Sequence, residues 1–512
     1  MFVGRFMAIW LAAVMLLSAC APAPTSLSEV EATGADPASY IMPGDDWGYP
    51  SPFAFYNRGP GYLRMSYLFD TLVWKDETGY IPWLAEDWQV DDDGLVWTFD
   101  LRQDVHWHDG RPLTADDVAF TFNYMKEKYE RGMVRWNWPL DAVHSAEESE
   151  DGRHVTVRMV RPTAGLMMTL FGSLPIIPRH IWEGVDDPMQ KLDAEAVIGS
   201  SLFTLHEYNK EEGRYIYRPN PDFFLGAPLI DELIFIRVND EALALMVGDV
   251  DEASFSGKQI SSVRELGAGG QFKVIQGPSD WTLKLYMHPN HPALNDVGVR
   301  QAIAYAIDRQ ELVERAQMGG AIVASTGILS PHSDWHHPDL PDYAYDPARA
   351  QAMLDDAGVT PFQVTLLTSE PYAREAELIK SNLADVGIDV VVRMADRATV
   401  DALLLEGDFD LLITGHGGGA NPDMGEPSPV WSNEAYLDAY DRSMRAIDDE
   451  VRREHVWAMQ EILAEELPVL ALWHPLMWEV YRPGRVEPFF TPDGVASGIP
   501  TAGNKLMFVD RE

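Results

Sequence analysis

Apolar and polar residues alternate with a period of two over 95–101 (Leu-Val-Trp-Thr-Phe-Asp-Leu), 155–159, 203–208, 214–218 and 232–237. Turn-forming residues bound these runs, among them Asp92-Asp93-Gly94, Asp109-Gly110 and Asn220-Pro221-Asp222. Successive side chains of a strand point to opposite faces, so this rhythm predicts half-buried strands, with 203–208 and 214–218 forming a hairpin. Residues 67–74 form a strand or buried segment that ends in a turn at 76–79. Other stretches follow the helical period. Thr114-Ala115-Asp116-Asp117 is a capping-type start to a helix over 115–129, and 240–247 is a second helix. Val299, Ile303, Ala306, Ile307 and Val313 form one helical stripe, and Asp346-Pro347 opens another helix that Gly358 ends.

From about 296 onward helix and strand take turns: strand 362–367, helix 372–386, strand 388–392, helix 399–405, strand 409–413. This order predicts a βαβαβ lobe of parallel strands, which binds ligands at their carboxyl ends. A long, broken helix over 433–466 and the apolar run 468–473 complete it. The fold class is α/β.

The leader changes the address of the protein. Arg5 is a short positive region, 7–17 is apolar, and Leu17-Ser18-Ala19-Cys20 has the form of a bacterial lipobox. The stretch is short for a membrane span. Residues 1–20 are therefore expected to be a lipoprotein signal peptide with Cys20 lipidated, and 21–39 a flexible tether rich in Pro, Ala, Ser and Thr. An ordinary secretory signal that happens to contain the cysteine is the alternative. Acyl chains contribute roughly 0.8 kcal/mol per buried CH₂, enough to hold a soluble body at a membrane. The chain has one Cys, so no internal disulfide forms. Eighty acidic residues against 39 basic give a net charge of −41, which disfavours nucleic acid and anionic membrane surfaces. The acids are dispersed, so solubility explains them as well as a cationic ligand does. With 16 Trp, 19 Tyr and 20 Phe, the chain has aromatic side chains for a core and for an enclosed pocket.

Several stretches carry a resemblance. The run 84–110 closely resembles the signature of the family 5 extracellular solute-binding proteins, the dipeptide- and oligopeptide-binding class that feeds ABC importers. Residues 299–309 (Val-Arg-Gln-Ala-Ile-Ala-Tyr-Ala-Ile-Asp-Arg) match a second family stretch, with weaker matches at 218–224, 248–251 and 466–470. The resemblance implies a two-lobe periplasmic-binding-protein type II-like fold with an additional inserted domain. It would place lobe I in 40–75, 196–283 and 479–512, the inserted domain in 76–195 and lobe II in 284–478. It also implies closure of hinged lobes over a solute, most simply a peptide, with an ABC permease and ATPase as partners. An extracytoplasmic monomer, held to the membrane through its lipid alone, is expected, with no cofactor, metal or catalytic residue.

In peptide-binding members an aspartate in a second-lobe loop pairs with the ligand's amino terminus. By the matching Pro422-Asp423, its place falls near Gly418, where no carboxylate stands. The loop leaves a strand at its carboxyl end, and its glycines allow close backbone approach. His416, Gly417, Gly418, Asn421 and Asp423 are therefore candidate ligand contacts, against the alternative of a glycine-rich hinge. The loop also fits a G-x-G-x-x-A template, but the following prolines deny the helix that a dinucleotide site needs. Trp281 and Trp473 are candidate stacking residues or core. Tyr56, Arg58 and Tyr62 occupy the first-lobe region where family members touch ligand. His106/His108 and His336/His337 lack a third ligand at metal spacing. A binder of a sugar or metal chelate, a tethered hydrolase, and a signalling receptor or chaperone on the same fold are the competing readings. The hydrolase lacks a G-x-S-x-G elbow or an H-E-x-x-H motif.

Overall fold

The computed structural model describes residues 39–512, apart from 360, 418–421, 423, 426, 485, 492–493, 496–499 and 512. The leader, Cys20 and the tether lie outside them. No helix among the described residues is long and apolar enough to cross a membrane.

The expected hairpin Phe203–Asn209/Arg214–Pro219 turns at Gly213, whose φ of +62° favours glycine. Glu232–Ile236 extends it, and the first strand, Ser39–Pro43, closes this sheet by pairing in parallel with Glu232–Ile236. A four-stranded antiparallel sheet follows within 76–195, in the order Ala85–Val90, Val96–Leu101, His154–Met159, Val143–Glu148. The helix Ala115–Glu130 packs on it, and the Thr114 amide donates to the Asp117 carboxylate at 2.9 Å as a capping box requires. The two sheets share one core: Phe99 and Phe122 fall in the same apolar cluster as Phe203, Leu233 and Phe508. His108 pins the signature hairpin to that core, accepting from the Gly199 amide at 3.1 Å and bonding the Ser201 carbonyl at 3.0 Å. Of 67–74, all buried, only the end is extended, as Val73–Lys75.

The six-stranded sheet runs in the order Ala321–Val323, Val469–Pro475, Thr282–Met287, Leu411–His416, Phe362–Thr368, Ile388–Met394. Phe362–Thr368 is parallel to both its neighbours, as the βαβαβ rhythm predicts. The other half is antiparallel, which corrects the expectation of a parallel lobe. The cause is connectivity. Thr282–Met287 brings the chain into this lobe, Val469–Pro475 takes it out at the same end, and two such neighbours must run in opposite directions. The boundary expected between 283 and 284 falls inside the entering strand. Each crossing continues into a three-stranded sheet in which Met477–Tyr481 lies between Glu252–Ser256 and Lys273–Gly277. The long helix is broken as its pattern suggested, into Glu434–Arg445 and Asp449–Glu466, capped by Asn433 and Asp448. Separate apolar clusters cover the sheet, one with Leu285 and Leu470, the other with Leu412 and Val469.

Candidate functional site

Where the two crossings meet, a cavity of about 450 Å³ is lined by Ser256, Gly257, Trp281, Tyr372, Trp473 and Met477, among others. The structure thus brings together two of the aromatic residues singled out from the sequence. A bulge in the Val469–Pro475 strand sets this up: Leu283 faces Trp473 while Lys284 faces Ala471, so Leu472 is the extra residue. Trp473 is 4% exposed, and its indole N–H has no hydrogen-bond partner among the described residues. Trp281 is half-buried against the lobe core, and the Arg397 guanidinium stands 5.5 Å from its ring centre. Gly415 leaves room for this indole, since a Cβ there would lie 2.5 Å from Trp281 Nε1.

His416 ends its strand with Nδ1 3.3 Å from the Tyr286 hydroxyl and Nε2 4.0 Å from Asp401. Burial, then repulsion by Lys284, lowers its pKa to about 4 against the pull of Asp401, so the ring is neutral at pH 7. His474 is also held at about 4, chiefly by burial. Its Nδ1 lies 3.1 Å from the Trp281 carbonyl and 3.0 Å from the Thr282 hydroxyl, and its Nε2 is buried without a hydrogen-bond partner among the described residues. Lys284 sits across from Thr414, half-buried, and forms no ion pair among the described residues. Burial lowers its pKa to about 8. Arg397 is engaged, donating to the Gly415 carbonyl at 2.9 Å and pairing with Asp401 at 3.2 Å. The aromatic lining of the cavity stacks on flat or apolar groups, while Lys284, Arg397 and His416 lie outside that lining.

The other candidates lie apart. Tyr56 is 42% exposed, donates to Asp46 at 2.9 Å and lines a different pocket with Tyr49 and Phe53. Arg58 is exposed, and its guanidinium donates to the neighbouring Asn57 carbonyl at 3.1 Å. Tyr62 is a core residue, a correction to its candidacy: it is buried against Phe55 and Trp136, and its hydroxyl donates to the Ser173 carbonyl at 2.9 Å. Gly417 is a bend in which a Cβ would meet Asp280 at 2.8 Å. Gly418, Asn421 and Asp423 lie outside the described residues. Lys284 went unnoticed in the sequence; its signal is a lysine set within Leu283-Lys284-Leu285-Tyr286-Met287. No group of three His, Cys, Asp or Glu among the described residues is placed to hold a metal ion.

With this geometry in hand, comparison with known proteins decides the family. The model for bacterial extracellular solute-binding proteins, family 5 (middle region), matches residues 79–437. The chain belongs to this family. The "Probable di/tripeptide-binding protein 5" of Pseudomonas aeruginosa is 30% identical over 375 residues, 68% of this chain and 69% of that protein. Di/tripeptide-binding protein 2 of the same organism is 29% identical over 445 residues, 78% and 82% of the two chains. The structure of NikA from Brucella suis in complex with Fe(III)-EDTA superposes with a TM-score of 0.76 at 21% identity, covering 93% of this chain and 100% of that one. As a family 5 solute-binding protein, the chain has the α/β fold of the periplasmic binding proteins.

Proposed function

We propose that the protein captures a short peptide between two hinged lobes and delivers it to the permease and ATPase of an ABC importer. The observation that carries this reading is family 5 membership over most of the chain, joined to the Trp281–Trp473 cavity at the two crossings. Two adjacent strands are a narrow connection, and hinge closure that buries a solute needs little else than rotation about such segments. A closed state is favoured only by contacts that the open one lacks. In this reading Trp281, Trp473, His416 and Gly417, with the loop through Gly418, Asn421 and Asp423, line the closed cleft. The protein acts as a binder without turnover, tethered through a lipid on Cys20.

Mass spectrometry of molecules released on denaturing the purified protein, followed by thermal-shift titration with di- and tripeptides, tests it. A ligand at a hundred times its Kd should add about 2.7 kcal/mol to stability. Absence of peptide in the released fraction, together with flat titrations, would refute the peptide reading. A non-peptide solute is the second reading, favoured by the missing carboxylate at Gly418; released sugars or chelates would establish it. Palmitate labelling that persists in Cys20→Ser would refute the anchor.

A further inference from the structure

Beside the Trp281–Trp473 cavity, and sharing Met477 with it, lies a second pocket of about 430 Å³. It is bordered by Trp47, Arg64, Glu241, Glu252, Trp478 and Glu479, among others. Glu252 and Glu479 are each 3% exposed. They are diagonal neighbours on one face of the three-stranded sheet, since Glu252 faces Tyr481 and Ser254 faces Glu479. The Tyr40 hydroxyl donates to Glu252 Oε2 at 2.7 Å, and the Ser254 hydroxyl to Glu479 Oε2 at 2.7 Å. Glu479 Oε1 is buried and has no hydrogen-bond partner among the described residues.

The obvious counter-charge does not serve. Arg64 borders the pocket, but its guanidinium lies 3.3 Å from the centre of the Phe235 ring and makes no ion pair among the described residues. Arg237, at the rim, is paired with Asp45. Three carboxyl groups therefore face one displaced guanidinium. Buried polar groups in folded proteins are normally satisfied, so an orphaned carboxylate oxygen on a cavity wall asks for a partner. The three glutamates do not form a metal-binding group. The wall instead sets carboxyl groups beside apolar side chains such as Leu63, Phe235 and Phe490, and those two surfaces together suit an alkylammonium, which gains ion pairing from the one and apolar contact for its chain from the other.

We propose that this pocket seats a primary ammonium group of the captured solute, with Glu479 Oε1 as its principal acceptor and Glu252 beside it. The inference rests on the solute-binding reading above and gives the solute an amine, held by the glutamates of the three-stranded sheet and not by the 415–423 loop.

The test uses n-butylammonium, with n-butanol and butyrate as length-matched controls, titrated calorimetrically and followed by tryptophan fluorescence, since Trp47 and Trp478 border the pocket. Butylammonium should bind saturably, at least tenfold more tightly than either control, and Glu479→Gln should weaken it at least tenfold. Glu252→Gln, with folding checked by circular dichroism, supplies the same comparison if the first variant does not fold. Equal affinity for butanol, or unchanged affinity in a folded variant, would overturn the proposal. A second arm compares trialanine with N-acetyl-trialanine. Binding of trialanine that survives acetylation or Glu479→Gln unaltered overturns the ammonium seat but leaves peptide capture standing. Glu479-dependent butylammonium binding without any peptide binding supports the seat and overturns peptide capture.

Discussion

Glu252 should make the protein less stable as the pH rises through neutrality. Burial, reinforced by Asp251, lifts its pKa from 4.5 to about 7, while the Tyr40 hydrogen bond and Arg64 act in the opposite direction. A carboxyl whose folded pKa is raised contributes its full stability below the unfolded value, near pH 4.5, and loses it as the pH rises through the folded value. The gap, at about 1.4 kcal/mol per pH unit, amounts to about 3 kcal/mol. Glutamine cannot ionise in either state, keeps an acceptor for Tyr40 and has nearly the same volume. Urea unfolding of the wild type and Glu252→Gln at pH 5, 6, 7 and 8, followed by tryptophan fluorescence, isolates the effect as a difference of differences. The variant should gain about 2.5 kcal/mol relative to the wild type between pH 5 and 8, part of the penalty being present already at pH 5. Glu479, also pushed up by burial and by Glu252, remains in both proteins; removing Glu252 relieves it, which acts in the same direction. Curves parallel to within about 1 kcal/mol would refute the argument.

Other consequences are as direct. The Lys505–Asp70 pair is wholly buried at 2.5 Å, so Lys505→Met should cost about 3–5 kcal/mol in urea unfolding by stranding the carboxylate, and Asp70→Asn/Lys505→Met should recover most of it; a loss below about 1 kcal/mol would contradict this. Gly415→Ala drives a methyl into Trp281 and should diminish the trialanine-induced thermal shift as much as Trp281→Ala does; unchanged shifts for both would remove Trp281 from the site. Lys284→Met removes a poorly compensated ammonium and should stabilise the protein at pH 7 by about 1–3 kcal/mol. Because the folded pKa of Lys284 is lowered, that advantage should fade as the pH rises from about 8 towards 10.5, and a pH-independent difference would refute it.

Local chemistry was legible in the sequence wherever a few neighbouring residues decide the outcome. Asp346 caps its helix by accepting from the Arg349 amide, and Gly358 ends it with a φ of +65°, as the Asp-Pro start and glycine stop imply. The hairpin at 203–219 and the break in the 433–466 helix are of the same kind. Features built from distant segments were not legible. The three-stranded sheet joins Glu252–Ser256 to Met477–Tyr481, and nothing local in either run announces the other. The antiparallel half of the six-stranded sheet likewise depends on where the chain enters and leaves. Tyr62 shows a further limit: an aromatic in a ligand-facing region is indistinguishable from a core residue until the Ser173 carbonyl is seen to take its hydroxyl. Of the residues around the two cavities, Trp281 and Trp473 stood out in the sequence from their place before and at the end of strands. Lys284 and the Glu252/Glu479 pair were not, because burial of a charge becomes visible only when the other walls are present.

The way this fold treats another buried carboxylate, Asp70, argues that the orphan at Glu479 has a purpose. Asp70 is as deeply buried, yet it receives the Trp83 indole at 2.8 Å, the Ser200 hydroxyl at 2.8 Å and the Lys505 ammonium at 2.5 Å. Its partners come from segments up to 435 positions away in the chain. A sequence able to assemble that set of donors is not short of means to satisfy a carboxylate. At Glu479 the same chain supplies one serine hydroxyl, places a second glutamate beside it, and holds the nearest guanidinium on a phenyl ring. The difference tracks location: Asp70 is sealed in the core, whereas Glu479 borders a cavity beside the two crossing strands. A desolvated carboxylate with an open side raises the energy of the empty protein and lowers that of a state in which a cation fills the space. Such a site favours the occupied form by as much as the empty form is penalised, which is the differential that a closing cleft requires.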